Sequence, residues 1–361
     1  PCPPDAGMAA AEASTGGGLA AFVSGKNMKV FAAAVSAIAK IGKDLYLDAS
    51  EDGMMLRALN GSNSVYLAVL FTRGFFTHFE APSVRDGSPS VRCKVQVKAM
   101  QPVLTGIRSV ESTRIALAKS GVTSYIIFQH QCSSGAVKTH ALMYEDTEVF
   151  AAVYDRAQAS HNFVVSCRTL DTALEHLGVP QEVFVQASDA GIEFRAHHFG
   201  PALGGKAAFR EDLAHKAHVE ASVSIRADDL ERVCVSDTAP GVGSDEDGRP
   251  TASFVTTLSE MRAMLEFCRA PAVDIGHLSF YFDSEDGAPI LVTSERNEDL
   301  GIVVDQVMAT IADEDAAGGA PPRDGTSAAP AERTALAAAA EHDDGTPARG
   351  PESKRPRPAG H

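Results

Sequence analysis

The sequence predicts an α+β fold made of two tandem copies of one unit, in which two amphipathic helices lie on one side of antiparallel strands. Two observations support this prediction. Amphipathic helical segments alternate with short apolar runs bounded by turn residues. Residues 183–197 also align under residues 45–59 without a gap, which is an internal repeat of domain size. The identical pairs are Ala49/Ala187, Ser50/Ser188, Gly53/Gly191, Arg57/Arg195 and Ala58/Ala196.

Length and composition divide the chain into segments. The 361 residues are 44% hydrophobic, which is enough for two packed domains and a tail. The first residues are rich in Ala and Gly, and the stretch after Ala312 has almost no large apolar residue, so neither can bury enough surface to order itself. We therefore expect a disordered lead-in at 1–18, a first domain at 19–146, a connector at 147–162, a second domain at 163–311 and a disordered tail at 312–361.

The first unit is organised around a helix predicted from Lys26 to Lys43. At 100° per residue, Val, Phe, Ala and Ile residues fall on one side, and four lysines with no acidic residue fall on the other. Asn27 or Ser24 suits the N-cap, and Gly42 suits the C-terminal stop.

The other elements of the first unit are read from periodicity and turn signals. A strand precedes the helix at 19–24, and a strand, a turn and a second strand follow at 44–60. An aromatic cluster at 75–79 suggests a short helix. A second helix is predicted at 98–110, with Pro102 close to its first turn. The remaining strands are expected at 64–71, at 91–97 and, as three strands in succession, at 113–145.

The second unit repeats this order with two insertions. Its helices are predicted within 164–178 and at 259–268, and the insertions near 200–216 and 236–250 read as surface loops because they are rich in Gly, Ala, Asp and Pro. Further strands are expected at 217–225, 277–283, 289–295 and 301–309.

Charge and cysteine usage exclude several classes of protein. The net charge is −15, so contact with DNA requires a segregated basic face. The six cysteines form no CxxC pair, which argues for a reducing compartment and against a zinc site or a disulfide framework. No run of 18 apolar residues and no secretory signal are present, so we expect no membrane segment. No metal and no cofactor are expected.

Three stretches of this sequence resemble a known family. They are NMKVFAAAVSAIAKIGKDLYLDASEDGMMLRALNGSNSVYLAVLFTRGFF (27–76), CKVQVKAMQPVLTGIRSVE (93–111) and VKTHALMYEDTEVFAAVYD (137–155). They are similar to DNA sliding clamps and, more specifically, to the tailed subunit of the heterotrimeric checkpoint clamp, the Rad-nine family of the nine-one-one complex. The pair Phe75-Phe76 and the stretch from Lys138 to His140 favour this subunit over proliferating-cell nuclear antigen.

The resemblance implies DNA-clamp domains with antiparallel sheets outside and helices lining a central hole. It also implies two other clamp-like subunits, a clamp loader, duplex DNA bound without sequence specificity, and a role in recruiting checkpoint mediators and repair enzymes. A sliding ring needs diffuse phosphate contacts, because a good base contact would hold it in place. Our DNA-binding candidates are Lys26, Lys29, Lys40, Lys43, Lys94, Lys98, Arg108 and Arg262, with Arg168 and Arg269 weaker because Glu175, Glu260 and Glu266 share their helices.

Two alternative functions remain open. A homotrimeric replication clamp has the same fold, but the tail and the insertions argue against it. A clamp-fold exonuclease would need converging carboxylates, whereas the acidic clusters at 51–52, 244–247 and 283–286 lie in predicted turns, where Asp and Glu are common. No nucleophile–base pattern or phosphate-binding Gly-rich loop supports an enzyme. His197-His198 and His215-x-x-His218 read as surface histidines.

The sequence also suggests regulatory and docking sites. Lys354, Arg355 and Arg357 form a basic cluster typical of a nuclear localisation signal, so we expect the nucleus. In the resembling family a phosphorylated tail serine beside acidic residues docks a mediator, and this tail has no such site. Phosphorylation is instead hypothesised at Ser244, in an acidic insertion, and at Thr346, which precedes a proline. Val153 and Tyr154 of the connector are expected to border a partner-binding groove.

Overall fold

A computed structural model describes residues 19–82, 91–120, 122–148, 150–177, 182–197, 221–245, 247–285, 287–294 and 300–311. The first repeat contains β1 (Ala20–Ser24), α1 (Gly25–Ile41), β2 (Asp44–Ser50), β3 (Gly53–Leu59), β4 (Val65–Thr72), β5 (His78–Glu80), β6 (Val91–Gln96), α2 (Val97–Leu104), β7 (Val110–Ser120), β8 (Thr123–Cys132) and β9 (Val137–Asp146). The second repeat contains β10 (His161–Ser166), α3 (Cys167–His176), β11 (Glu182–Ser188), β12 (Gly191–His197), β13 (Ser222–Arg226), β14 (Arg232–Val235), β15 (Gly243–Ser244), β16 (Pro250–Thr257), α4 (Leu258–Cys268), β17 (His277–Phe282), β18 (Ile290–Ser294) and β19 (Ile302–Met308).

The strand order is the same in the two repeats. The first repeat has the antiparallel orders β6-β2-β3-β4 and β9-β8-β7-β1-β5, and the second has β16-β11-β12-β13 and β19-β18-β17-β10-β14. Between the repeats, β19 pairs with β4 over seven residues, from Ile302 opposite Phe71 to Met308 opposite Val65. The predicted α+β fold is confirmed, and one backbone ladder joins the two repeats into a continuous sheet.

Serine caps start the first helix of each repeat. The Ser24 hydroxyl oxygen accepts a hydrogen bond from the backbone N–H of Asn27 at 3.2 Å, and the Ser166 oxygen accepts one from Thr169 at 3.0 Å. Each bond satisfies a backbone donor that the first turn of a helix leaves free. At the other end of α1, the Gly42 N–H donates to Ile38 O. Of the two predicted N-caps it is Ser24 that caps the helix, and Gly42 caps its end as predicted, but the helix runs from Gly25 to Ile41 instead of from Lys26 to Lys43.

Equivalent glycines begin the third strand of each repeat, β3 and β12. Gly53 and Gly191 have φ values of 150° and 142°. A Cβ atom on Gly53 would lie 2.2 Å from Phe71 O, and one on Gly191 would lie 2.1 Å from Ile225 O. Both positions therefore need glycine, since any side chain would strike the backbone of the neighbouring strand. This explains why glycine is retained at this point of the internal repeat.

The apolar face of α1 forms the centre of the first core. Phe31 is fully buried, with its ring centroid 5.5 Å from that of Phe71 on β4 and 6.3 Å from that of Phe128 on β8. One aromatic side chain thus links the helix to both sheets of the repeat. The opposite face of α1 is exposed to solvent, and it carries the lysines.

The elements differ from the sequence expectations at four points. The aromatic cluster forms a single 3-10 turn, Arg73–Phe75, and then strand β5 instead of a helix. The predicted helix 98–110 ends at Leu104, because Pro102 lacks an N–H donor and Gly106 adopts a left-handed φ of 75°. Strand β14 was not predicted, and the 236–250 insertion contains β15, which pairs with β16.

The predicted lead-in at 1–18, the insertion near 200–216 and the predicted tail at 312–361 lie outside the described residues. No helix in the part of the chain that the structure describes is long and apolar enough to cross a membrane.

We predict that Phe31→Ala lowers the free energy of unfolding by about 3–5 kcal/mol, because it opens a cavity between α1 and both sheets. Phe22→Ala is the matched control: Phe22 lies on the adjacent strand but is 36% exposed, so its truncation should cost much less. Denaturant titration measures both. Equal losses for the two variants would contradict this account of the core.

Candidate nucleic-acid interface

The exposed stripe of α1 carries only positive charge among its ionisable residues. Lys26, Lys29 and Lys40 are exposed along the helix, and Lys43 is exposed just after it. Lys26, Lys29 and Lys43 form no ion pair with any described residue. We call these four side chains the lysine stripe. Their ammonium groups can attract phosphates without reading a sequence.

The other helices lie on either side of α1. Helix α1 packs between α2 and α4, and α4 in turn packs on α3. The helices of both repeats therefore form one layer, with the lysine stripe near its middle. Such a layer presents a long surface to a rod-shaped ligand such as a duplex.

Two further cations lie on the α2 side of this layer. Lys98 is exposed on the first turn of α2, and Arg108 is exposed on the 3-10 turn Ile107–Ser109 that follows it.

Buried His130 fixes the end of α2: its Nε2–H donates to Val103 O at 3.0 Å, while Nδ1 accepts from the Thr113 hydroxyl at 2.8 Å. Burial lowers the pKa of His130, which favours the neutral ring that these two bonds require.

The cations of the second repeat are held by protein groups. Arg262 donates to Leu174 O at 2.7 Å, which binds α4 to the end of α3. Arg269 forms an ion pair with Asp171. Arg168 is exposed and forms no ion pair with a described residue. Arg262 is therefore better explained as a structural residue than as a phosphate ligand.

Lys40 also has a protein partner. Its ammonium forms an ion pair with the Glu266 carboxylate on α4, so one member of the lysine stripe is neutralised by the other repeat. The two residues are 226 positions apart, and no pattern in the sequence could have predicted their contact.

Lys94 was wrongly grouped with these cations. Along β6, Cys93 and Val95 are buried towards the helices, so Lys94 projects from the opposite face of the sheet. Its Nζ lies 3.4 Å from the Asp44 carboxylate and 4.0 Å from that of Glu145. The charge of Asp44 raises the pKa of Lys94. Lys94 cannot join the lysine stripe, because the sheet lies between them.

The connector covers that same outer face, at the seam between the repeats. Phe150, Ala152 and Tyr154 pack on a small cluster formed by Tyr66, Ala68, Leu291 and Val307. The Phe150 ring meets Tyr46 edge-on with centroids 4.4 Å apart. The Arg57 guanidinium donates to Phe150 O at 3.2 Å. The connector is thus bound to both sides of the β4–β19 seam.

The two connector residues proposed for partner binding differ in exposure. Val153 is 72% exposed and can contact a partner. The Tyr154 ring packs inward, its hydroxyl oxygen is buried without a hydrogen-bond partner among the described residues, and burial raises its pKa. Tyr154 therefore anchors the connector, and only Val153 remains on its outer surface.

Comparison with known proteins places this arrangement in a family. The family model described as Rad9 matches residues 31–311. The chain belongs to the Rad9 family. It is 23% identical to the DNA repair protein rad9 of Schizosaccharomyces pombe over 333 residues, which covers 81% of this chain and 70% of that protein. It is 27% identical to the cell cycle checkpoint control protein Rad9 of Drosophila melanogaster over 93 residues, or 26% of this chain and 20% of that protein.

Two solved PCNA structures share this fold. PCNA from Thermococcus kodakaraensis matches with a TM-score of 0.57 and 14% identity, over 81% of this chain and 99% of that one. A chain of the PCNA2–PCNA3 complex from Sulfolobus tokodaii matches with a TM-score of 0.56 and 10% identity, over 81% and 98%. At these identities the likeness shows the clamp fold of the Rad9-family chain.

The remaining predicted sites are distributed as follows. Ser244 is exposed on β15, where it pairs with Pro250. Outside the described residues lie Thr346, Lys354, Arg355, Arg357, His198, His215 and His218. Within the described ranges, no group of three His, Cys, Asp or Glu side chains is placed to hold a metal ion.

We predict that Tyr154→Phe leaves the free energy of unfolding of this Rad9-family chain unchanged or raises it by up to about 1 kcal/mol, since the buried hydroxyl has no bonding partner to lose. Tyr154→Ala should lower it by about 3 kcal/mol, because the ring packs on the seam. Denaturant titration compares the two. A loss of more than about 1 kcal/mol in Tyr154→Phe would mean that the hydroxyl is bonded.

Proposed function

We propose that this Rad9-family chain is a non-catalytic subunit of a ring-shaped clamp that encircles duplex DNA and recruits DNA-damage checkpoint and repair factors. The observation that carries the proposal is the pairing of β19 with β4. The equivalent strands of the other repeat, β9 and β13, each have an edge that is unpaired among the described strands.

The repeat defines what must bind at those edges. By strand order, β9 is the counterpart of β19, and β13 is the counterpart of β4. Strand β13 ends its sheet, and β9 meets β6 only at Asp146 and Glu145, so residues 137–144 of β9 have one edge unpaired among the described strands. Copying the β4–β19 seam at both ends requires a strand from another chain at each. Two clamp-like partner subunits would close a ring in this way.

The helix layer then supplies the DNA contacts. A ring built by repeating the seam continues the layer of helices around its inside, with the lysine stripe, Lys98 and Arg108 facing the hole. The net charge of −15 repels phosphates elsewhere on the molecule, so binding is confined to this face. Because the contacts are to phosphates, the ring can move along a duplex.

The family match favours a checkpoint clamp over a homotrimeric replication clamp. In the part of the chain that the structure describes, no cluster of converging carboxylates favours an exonuclease. The acidic pair Glu51-Asp52 lies in the turn between β2 and β3, where such residues are common. We therefore assign no catalytic residue.

Loading and recruitment belong to the same proposal. A clamp loader would open the ring at a seam between chains, and mediators or repair enzymes would dock outside it, where Val153 is exposed on the connector. Ser244 is exposed beside Asp245, which fits phosphorylation by an acid-directed kinase. Nuclear residence is inferred from the basic cluster at 354–357.

We predict that the double variant Lys26→Gln, Lys29→Gln reduces retention of the assembled ring on circular DNA by more than about tenfold, because two phosphate contacts are lost. The dependence of log affinity on log salt should become shallower by roughly 1.8. Lys94→Gln is the control, as it removes one positive charge from the outer face of the sheet. Salt-dependent retention of each ring on a nicked plasmid tests this. If the double variant behaves like Lys94→Gln, the lysine stripe does not face DNA.

We predict that Met143→Asp prevents a partner subunit from binding while the chain stays folded, since a charge beside the free edge of β9 would be buried in the seam. Met143 is 68% exposed in the isolated chain. Val122→Asp, at the exposed β7–β8 turn, is the control. Co-purification and light scattering measure assembly, and circular dichroism measures folding. A homotrimer formed by the isolated wild-type chain would instead support a replication clamp.

A further inference from the structure

One ion pair in the helix layer links the two repeats across the proposed DNA face. Lys40 on the last turn of α1 binds Glu266 near the end of α4, and the side chains are 47% and 63% exposed. A pair this exposed contributes only about 0–1 kcal/mol to folding. Helices α1 and α4 already pack against each other, and both contribute buried residues, among them Ala37, Ile38 and Met261, to one apolar core. Fold stability therefore does not account for a carboxylate at this position.

We propose that Glu266 restrains Lys40 and thereby lowers the affinity of the ring for DNA. In the free ring, Glu266 holds the Lys40 ammonium. When a duplex enters, a phosphate exchanges with the Glu266 carboxylate for the same ammonium. The inference rests on the proposed function and adds a regulator to its DNA-binding face.

Two physical effects both reduce the contribution of Lys40 to DNA affinity. The phosphate must displace a carboxylate from Lys40, whereas at Lys26 and Lys29 it displaces only water and counterions. After the exchange, the freed Glu266 carboxylate lies beside the bound phosphate and repels it. Lys40 consequently contributes less than its neighbours. A ring that must slide benefits from such weak contacts.

Two other acidic residues on the helices of the second repeat, Glu260 and Glu175, differ from Glu266 in their contacts. The Glu260 carboxylate accepts a hydrogen bond from the Ser259 hydroxyl. Glu175 is exposed on α3 and forms no ion pair with a described residue. Glu175→Gln therefore removes the same charge from the same helix layer without releasing a lysine. Comparing Glu175→Gln with Glu266→Gln therefore distinguishes the release of Lys40 from the simple loss of one negative charge.

A double-mutant cycle on the assembled ring tests the proposal. Retention on a nicked plasmid is measured against salt for wild type, Lys40→Gln, Glu266→Gln, the double variant and Glu175→Gln. We expect Glu266→Gln to raise retention about fivefold near 0.15 M salt and to steepen the salt dependence by about 0.9, the effect of one extra phosphate contact. In the Lys40→Gln background, Glu266→Gln should produce a much smaller increase in retention and a much smaller change in salt dependence.

Two results would overturn the inference: an equal gain from Glu175→Gln, or a gain from Glu266→Gln that survives in the Lys40→Gln background. The Lys26→Gln, Lys29→Gln ring is the reference for the DNA face itself. If it shows normal retention, the proposed function fails together with the inference. If it loses retention and Glu266→Gln has no effect, only the role of Glu266 is wrong.

Discussion

The pairing of β19 with β4 is the interaction on which the rest of the structure depends. Seven residue pairs of this antiparallel ladder join the backbones of the two repeats and align their helices in one layer. The connector packs over this seam and binds both sides of it. Since this ladder joins the sheets on which the helices pack, it sets the position of the cations of one repeat relative to those of the other. The free edges of β9 and β13 then define where other chains can extend it.

The sequence predicted most of the fold because local signals agreed with it. The apolar face of α1, its Ser24 cap and the glycines at 53 and 191 each specify a local structure without reference to distant residues. The predictions of individual elements failed where the surrounding structure, and not the local sequence pattern, determines the conformation. The stretch 75–79 forms a turn and an edge strand because β5 finds a partner in β1, and the helix after β6 stops early because Pro102 and Gly106 interrupt it.

The candidate site was predicted less completely than the fold. Helical periodicity alone placed Lys26 and Lys29 on an exposed face. Strand alternation could have excluded Lys94, because the neighbouring Cys93 and Val95 are the buried residues of β6. The partners of Lys40 and Arg262 could not be predicted, since each bond joins elements that are far apart in the chain. The inward packing of Tyr154 likewise depends on a cluster assembled from both repeats.

The engagement of Arg262 and Arg269 by protein groups has a mechanical consequence for DNA in the hole. In the ring that we propose, attraction would act mainly from the first repeat, so the duplex axis would lean towards α1 and α2 and lie off-centre. Each step along the duplex would then break and remake only a few contacts on one side, which would keep the friction of translocation low.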